Sequence, residues 1–129
     1  MEEIIQLEQK LESCLMRLKE DFGLRAVKAE FEAEGASFRD LSRLRRLTSR
    51  HNISLYLKIG GVEALRDIKD AFEIGVDGLV APMVESAFGV IKFTHAVESV
   101  FSGHEVFKSI NLETCNAIES VDEILAEAK

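Results

Sequence analysis

The sequence predicts an α/β fold made of parallel βα units with one helix in front of them. Three observations carry this. Apolar residues recur at helical spacing over residues 2–21, four later stretches read as strands, and a helical stretch of 10–16 residues follows each of those four. Strands separated by helices of that length pair in parallel through right-handed crossovers. Two architectures satisfy the rhythm: an open doubly wound sheet, or part of a (β/α) barrel.

Taken in order, Ile4, Ile5, Leu7, Leu11, Leu15, Met16 and Leu18 mark the leading helix, and Gly23 stops it. "LRAVKAEFE" (24–32) alternates, with Val27, Ala29 and Phe31 on one side and Lys28, Glu30 and Glu32 on the other, so it reads as a strand. Ser37 is placed to cap a helix carrying Phe38, Leu41, Leu44 and Leu47. "ISLYLKIGG" (53–61) is the second strand, followed by a helix over 62–74 that Gly75 bounds. "VDGLVAPMVES" (76–86) is the third, with a helix over about 87–101, and "EVFKSINLET" (105–114) is the fourth, with a helix over 116–128. Residues 1–23 thus form a leading helix and 24–129 four βα units, within a single domain.

Composition narrows the function classes. A net charge of −7 argues against nonspecific nucleic-acid binding, and the basic stretch "RDLSRLRRLTSR" (39–50) carries leucines at helical spacing, so it reads as a solvated helix face. No run approaches the roughly 18 apolar residues of a membrane span, and no signal-peptide pattern opens the chain, so a soluble cytoplasmic protein is expected. Cys14 and Cys115 match no metal spacing and are expected as reduced thiols, the first on a helix and the second just after a strand. His51, His95 and His104 occupy positions that suit neither ligand nor general base. A dinucleotide site is disfavoured, because G-x-G-x-x-G is missing from the first strand–helix turn ("EFEAEGAS") and from the second ("KIGGVEA").

Every strand-like stretch ends on polar groups: Lys28, Glu30 and Glu32; Lys58; Glu85 and Ser86; Asn111, Glu113 and Thr114. One such residue would only mark the chain leaving the core for solvent. Four of four, mixing lysines with glutamates, point to a site at the carboxyl ends of parallel strands, where βα loops converge. Opposite charges there keep one another ionised and can hold a divalent cation and an anionic substrate together. Lys28 and Glu30 share strand parity and could both face a barrel interior, where each would need a partner or a ligand. Glu113, two residues past Asn111, is suited to bind a metal directly beside an amide.

"LVAPMVESAFGVIKF" and "INLETCNAIESVDEILA" resemble, in order and spacing, two segments of the citrate lyase β-subunit and hydroxyacid aldolase family of HpcH/HpaI type. "VKAEFEAEG" and "LKIGGVEALRD" are similar to a less characterised branch of it, so the likeness runs from about residue 24 to the end. The resemblance implies a TIM barrel of the pyruvate/phosphoenolpyruvate-binding group. It also implies Mg²⁺ or Mn²⁺ as cofactor, and carbon–carbon lyase chemistry on a pyruvate-like α-keto acid or related acyl substrate. By the same resemblance Glu113 is the metal-binding glutamate, and Glu85 is a catalytic carboxylate set slightly behind it. Lys58 stands where the family often has an arginine that anchors substrate, with Lys28 and Glu30 beside it on the substrate side. Lysine departs from that pattern, since it cannot make a planar bidentate contact to a carboxylate.

A (β/α)₈ barrel takes about 250 residues, whereas four units are present here, so half of a TIM barrel is expected. The family's second metal ligand, an aspartate on the next strand, would fall after Lys129. Such a half-barrel would be a fragment of a lyase or a protomer that needs a partner, most simply in a homo-oligomeric dimer. The alternative is a non-catalytic half-barrel that self-associates or binds a small anion.

Overall fold

The structure, a computed structural model, describes residues 1–129. Helix α1 (Glu2–Phe22) is followed by β1 (Ala26–Glu30), α2 (Phe38–Arg50), β2 (Ser54–Lys58), α3 (Leu65–Ile74), β3 (Gly78–Ala81), α4 (Ala87–Phe101), β4 (Phe107–Ile110), α5 (Cys115–Glu119) and α6 (Val121–Glu127). All three strand pairings are parallel, and the sheet order is β1-β2-β3-β4. That order decides between the two architectures the sequence left open. A doubly wound sheet reverses direction at a switch point, whereas consecutive right-handed crossovers that never reverse put every helix on the same face. This is barrel-type winding, as expected of half a TIM barrel.

The core lies between that face and the helices. Leu55 and Leu57 of β2 and Leu79 and Ala81 of β3 have no exposed surface, and they pack against Ile68, Val90, Phe93, Val97 and Ile124 from α3, α4 and α6. A smaller cluster of Leu15, Leu47 and Ile53, with Leu24 and Val27 beside it, fastens α1 to α2 and to the outer side of β1. Gly23 ends α1 with φ 70°, a left-handed conformation that glycine adopts without strain. Ser37 caps α2 as the sequence suggested. Its hydroxyl accepts from the Asp40 amide at 3.2 Å, and the Asp40 carboxylate accepts from the Ser37 amide at 3.0 Å. No helix is long and apolar enough to cross a membrane.

Several boundaries differ from the sequence expectation. The third strand ends at Ala81, not at residue 86, so Glu85 lies in a loop. Pro82 has no amide hydrogen to continue a ladder, and Met83 takes φ 46°, which turns the chain out of the sheet. The fourth strand is confined to Phe107–Ile110, leaving His104 in the preceding turn and Asn111 and Glu113 just beyond the end. The last helix is two, broken at Ser120, and Cys115 opens the first of them. Both cysteines are free.

The second face of the sheet carries no helix. Register sets Lys28, Tyr56, Gly78 and Phe107 in one row across it, and Glu30, Lys58, Val80 and Ser109 in the next. Tyr56 and Phe107 sit two strands apart, a spacing near 9.6 Å, yet their rings stack with centroids 5.3 Å apart. Gly78 between them makes this possible: a Cβ there would lie 2.7 Å from the Tyr56 ring. Replacing Gly78 with Ala is expected to cost about 1–3 kcal/mol through overpacking. In a double-mutant cycle monitored by urea unfolding, Tyr56→Ala should recover most of that loss. Additive effects would mean that the ring does not lean on Gly78.

Candidate functional site

The carboxyl ends of the strands collect the charged groups. The carboxylate of Glu30, a residue only 9% exposed, is gripped on both sides. Lys28 Nζ lies 2.7 Å from one oxygen and Lys58 Nζ 2.9 Å from the other. Alternation explains the arrangement. Lys28 and Glu30 are two residues apart on β1 and share its bare face, and Lys58 is the direct register partner of Glu30 on β2. The backbone N–H of Glu30 points to the open side of β1, where the Glu34 carboxylate accepts from it at 3.2 Å.

These contacts shift the ionisation of the pair. Hydrogen bonds from Lys28 and then Lys58 hold the Glu30 carboxyl below its ordinary value, outweighing partial burial. The hydrogen bond to Glu30 raises Lys58 above its ordinary value despite burial, and the charges of Glu113 and Glu34 add to the effect. Both members are therefore ionised throughout the neutral range.

Glu113 occupies the neighbouring corner. Its Oε1 accepts from the Asn111 side-chain amide at 2.9 Å, and its Oε2 accepts from the Met83 backbone N–H at 3.0 Å. Asn111 also ties the corner through its main chain, donating to Ala81 O at 2.9 Å and accepting from Val84 N at 3.1 Å. The carboxylate is thereby fixed against the left-handed turn at Met83 while remaining exposed. The next residue, Thr114, caps α5 through the Ala117 amide, and Ser86, after Glu85, caps α4 through the Gly89 amide. A carboxylate followed by a capping hydroxyl thus recurs at β3 and β4, and each cap fixes where the preceding carboxylate leaves the sheet. Glu85 nonetheless forms no ion pair and is exposed on its loop.

Lys28, Glu30 and Lys58 therefore come together, with Glu113 close enough for its charge to act on Lys58, and Glu85 does not join them. Reading the sequence alone missed three contributors. Tyr56 shares strand parity with Lys58, which was the available signal. Asp67 accepts from the Gly60 amide at 2.7 Å and shapes the loop after β2. Glu34 lies in an irregular turn, where nothing in the sequence marks it. The histidines are structural or peripheral: His51 Nε2 lies 2.7 Å from Glu12, and His104 packs edge-on against Phe72. A cleft of about 840 Å³ lies at the other end of the strands around Asp77, Phe101, His104 and Phe107, away from the charged cluster.

As a donor set for Mg²⁺ or Mn²⁺, this end offers one well-oriented carboxylate. No three His, Cys, Asp or Glu side chains come together as a cage. Glu113 spends one lone pair on each oxygen, and the remaining lone pairs suit an open site in which water and substrate oxygens complete the shell.

The fold and the site define a barrel-type α/β protein with a charged cluster at the carboxyl ends of its strands. No protein-family model matches the sequence, and no curated protein is detectably similar to it. Solved structures do match. An HpcH/HpaI aldolase/citrate lyase family protein from Burkholderia cenocepacia superimposes with a TM-score of 0.70 at 14% identity, over 90% of this chain and 56% of that one. An HpcH/HpaI aldolase from Desulfitobacterium hafniense gives 0.72 at 20% identity, over 87% and 52%. The citrate synthase SbnG gives 0.59 at 17% identity, over 77% and 45%. The fold is therefore that of HpcH/HpaI aldolase/citrate lyase proteins, and the chain spans about half the length of the structures it matches.

The pH dependence of the clamp follows from its shifts. A carboxyl held below its ordinary value stabilises the fold fully above that value and loses the contribution as pH falls through the lowered one. The raised Lys58 contributes below its ordinary value and loses the contribution only as pH rises through the raised one, far into alkali. Glu30→Gln should melt below wild type at neutral pH, and the gap should close as pH falls through the lowered carboxyl value. A gap independent of pH would show that the clamp makes no ionic contribution.

Proposed function

We propose that the chain carries the metal-binding part of a divalent-cation-dependent carbon–carbon lyase of the HpcH/HpaI aldolase/citrate lyase family. Its substrate would be a pyruvate-like α-keto acid or a related acyl compound. The observation that carries this reading is the joint placement of an ammonium pair and an oriented carboxylate at the carboxyl end of a sheet with that family's fold.

In this reading Glu113 would be the carboxylate ligand of Mg²⁺ or Mn²⁺, and the cation would supply Lewis-acid stabilisation of the negative charge that develops as a carbon–carbon bond breaks. Asn111 and the Met83 amide hold that carboxylate in one orientation. Lys58, held by Glu30, presents its charge to the substrate carboxylate, and Lys28 adds a second ammonium from β1. Lys58 acts as a point charge, so it neutralises the anion without fixing its plane as an arginine would. Gly60 and Gly61 beyond it let a ligand approach the backbone closely. Glu85, unpaired on the β3–α4 loop, is free to take or give a proton at the edge of the site. The protein would work in the cytoplasm on a small anionic metabolite.

Two measurements test the assignment. Glu113→Gln should weaken Mn²⁺ binding, followed by electron paramagnetic resonance, by roughly tenfold or more. Equal affinity in the two proteins would remove Glu113 from the metal site. Lys58→Met should raise KM for α-keto-acid aldols more than it lowers the melting temperature. The reverse ordering would make the Lys58–Glu30 pair purely structural.

A further inference from the structure

We propose that the amino-terminal mouth of the sheet holds a second ligand site, separate from the charged cluster, which takes the phosphate group of a small phosphorylated molecule. A cavity of about 550 Å³ opens there between the end of α1 and the first residues of β1 and β2. Lys19, Arg25, Asn52, Ser54 and Tyr56 line it, and no carboxylate does. In a chain with 23 acidic residues against 16 lysines and arginines, that exclusion of negative charge sets the mouth apart. Local geometry brings the five residues together. Ser54 and Tyr56 share strand parity with Lys58, so they leave β2 on the bare face. The register partner of Ser54 is Ala26, whose small side chain leaves room beside the hydroxyl. The Arg25 carbonyl accepts from the Ser54 amide at 2.9 Å, which fixes these two residues next to one another. Asn52 turns the chain from α2 into β2 with φ 51°, a left-handed conformation that asparagine tolerates. Lys19 reaches over from α1, and its ammonium donates to the His51 carbonyl while keeping further N–H groups for a ligand.

Arg25 has no ion-pair partner, and the side chains of Asn52, Ser54 and Tyr56 make no hydrogen bond within the chain, so their donors are available. Two positive charges flanked by amide and hydroxyl donors suit a dianion. A guanidinium makes a planar bidentate contact with phosphate, and an ammonium adds a point charge. A lone carboxylate would neutralise one cation and leave the other unmatched. The cavity is larger than a phosphate ion needs and falls within the roughly 300–1,000 Å³ of small-molecule sites. The Tyr56 ring offers an apolar wall to the organic part of the ligand. Ser54 and Lys58 stand four residues apart along β2, about 13 Å, so a ligand at the mouth does not touch the Lys58 ammonium. Its contacts instead join α1 to β1 and β2. That helix is otherwise fastened by the small cluster around Leu15 and by polar contacts of Glu12 and Lys19 with His51. Binding therefore stabilises its docking.

Isothermal titration of the protein with glycerol phosphate, without divalent cations, tests the site. Saturable binding is expected, weaker for inorganic phosphate and undetectable for acetate at equal ionic strength. Heat of binding is the readout because phosphate also stabilises proteins by exclusion from their surface. Arg25→Gln should weaken glycerol phosphate binding by roughly tenfold or more, while Lys58→Met should leave it unchanged. Arg25 is exposed, so its replacement should leave the melting temperature of the free protein where it was. Hydrogen exchange of the wild type gives a second readout without a substitution. Glycerol phosphate should slow the Gly23 and Leu24 amides, which donate to the Lys19 and Leu18 carbonyls at the end of α1, severalfold. Absence of saturable binding, or binding that tolerates Arg25→Gln, overturns the proposal. Loss of binding in Lys58→Met overturns it too, by moving the anion to the charged cluster, and equal binding of acetate overturns the phosphate assignment. No cation takes part in these measurements, so they stand or fall apart from the metal assignment of Glu113.

Discussion

The direction of winding governs everything else in this chain. Each new strand is added on the same side of the last, and with the right-handed crossovers that parallel strands require, all helices fall on one face of the sheet. The covered face can then be uniformly apolar, as Leu55, Leu57, Leu79 and Ala81 are. The other face must be compatible with an interior that no helix fills, and its residues answer that need in two ways. The middle row uses aromatic stacking over a glycine, and the carboxyl-terminal row uses charges that neutralise one another.

That second solution has an energetic logic. An unpaired glutamate taken out of water would protonate or destabilise the fold, whereas one held between two ammonium groups keeps its charge. The opposite end of the sheet is built for cohesion. Asp77 receives the Arg45 guanidinium at 2.7 Å and 3.4 Å and the Leu55 amide at 2.9 Å, so a single carboxylate joins α2, β2 and the start of β3. A barrel that fastens its amino-terminal end and leaves exposed, oriented charges at the carboxyl-terminal end separates stability from chemistry.

The element order, the strand parity and the charged strand ends could be read from the sequence because period and polarity are local properties. Val27 and Ala29 against Lys28 and Glu30 fixed the faces of β1 before any tertiary contact was known. Sheet order could not be read, since the same βα rhythm suits singly and doubly wound sheets; only the pairing of β1 with β2 and not with β3 decides it. The end of β3 was misread because "LVAPMVES" is apolar throughout, and Val84 is indeed buried, but in a loop folded back onto the core. Of the site, the clamp on Glu30 followed from parity and cross-strand register. The hold of Asn111 and Met83 on Glu113 depends on a left-handed residue in that loop, which no periodicity reveals.

The charge balance at the carboxyl end bears on what the site can accept. Lys28 and Lys58 share one carboxylate, so the clamp carries a single net positive charge, and Glu34 and Glu113 lie near enough to Lys58 to favour its charged form. Glu32, whose side chain lies against Gly60 in the loop after β2, adds a further carboxylate to the same rim. An anionic substrate approaching alone would meet one spare ammonium charge among several glutamates, an unfavourable field. A divalent cation on Glu113 reverses that sign locally and leaves Lys58 to complete the neutralisation. Under the proposed function, the acidic rim and the lysine pair are therefore complementary halves of one requirement: the cation makes the anion's entry favourable, and Glu30 keeps the ammonium groups where the anion would arrive.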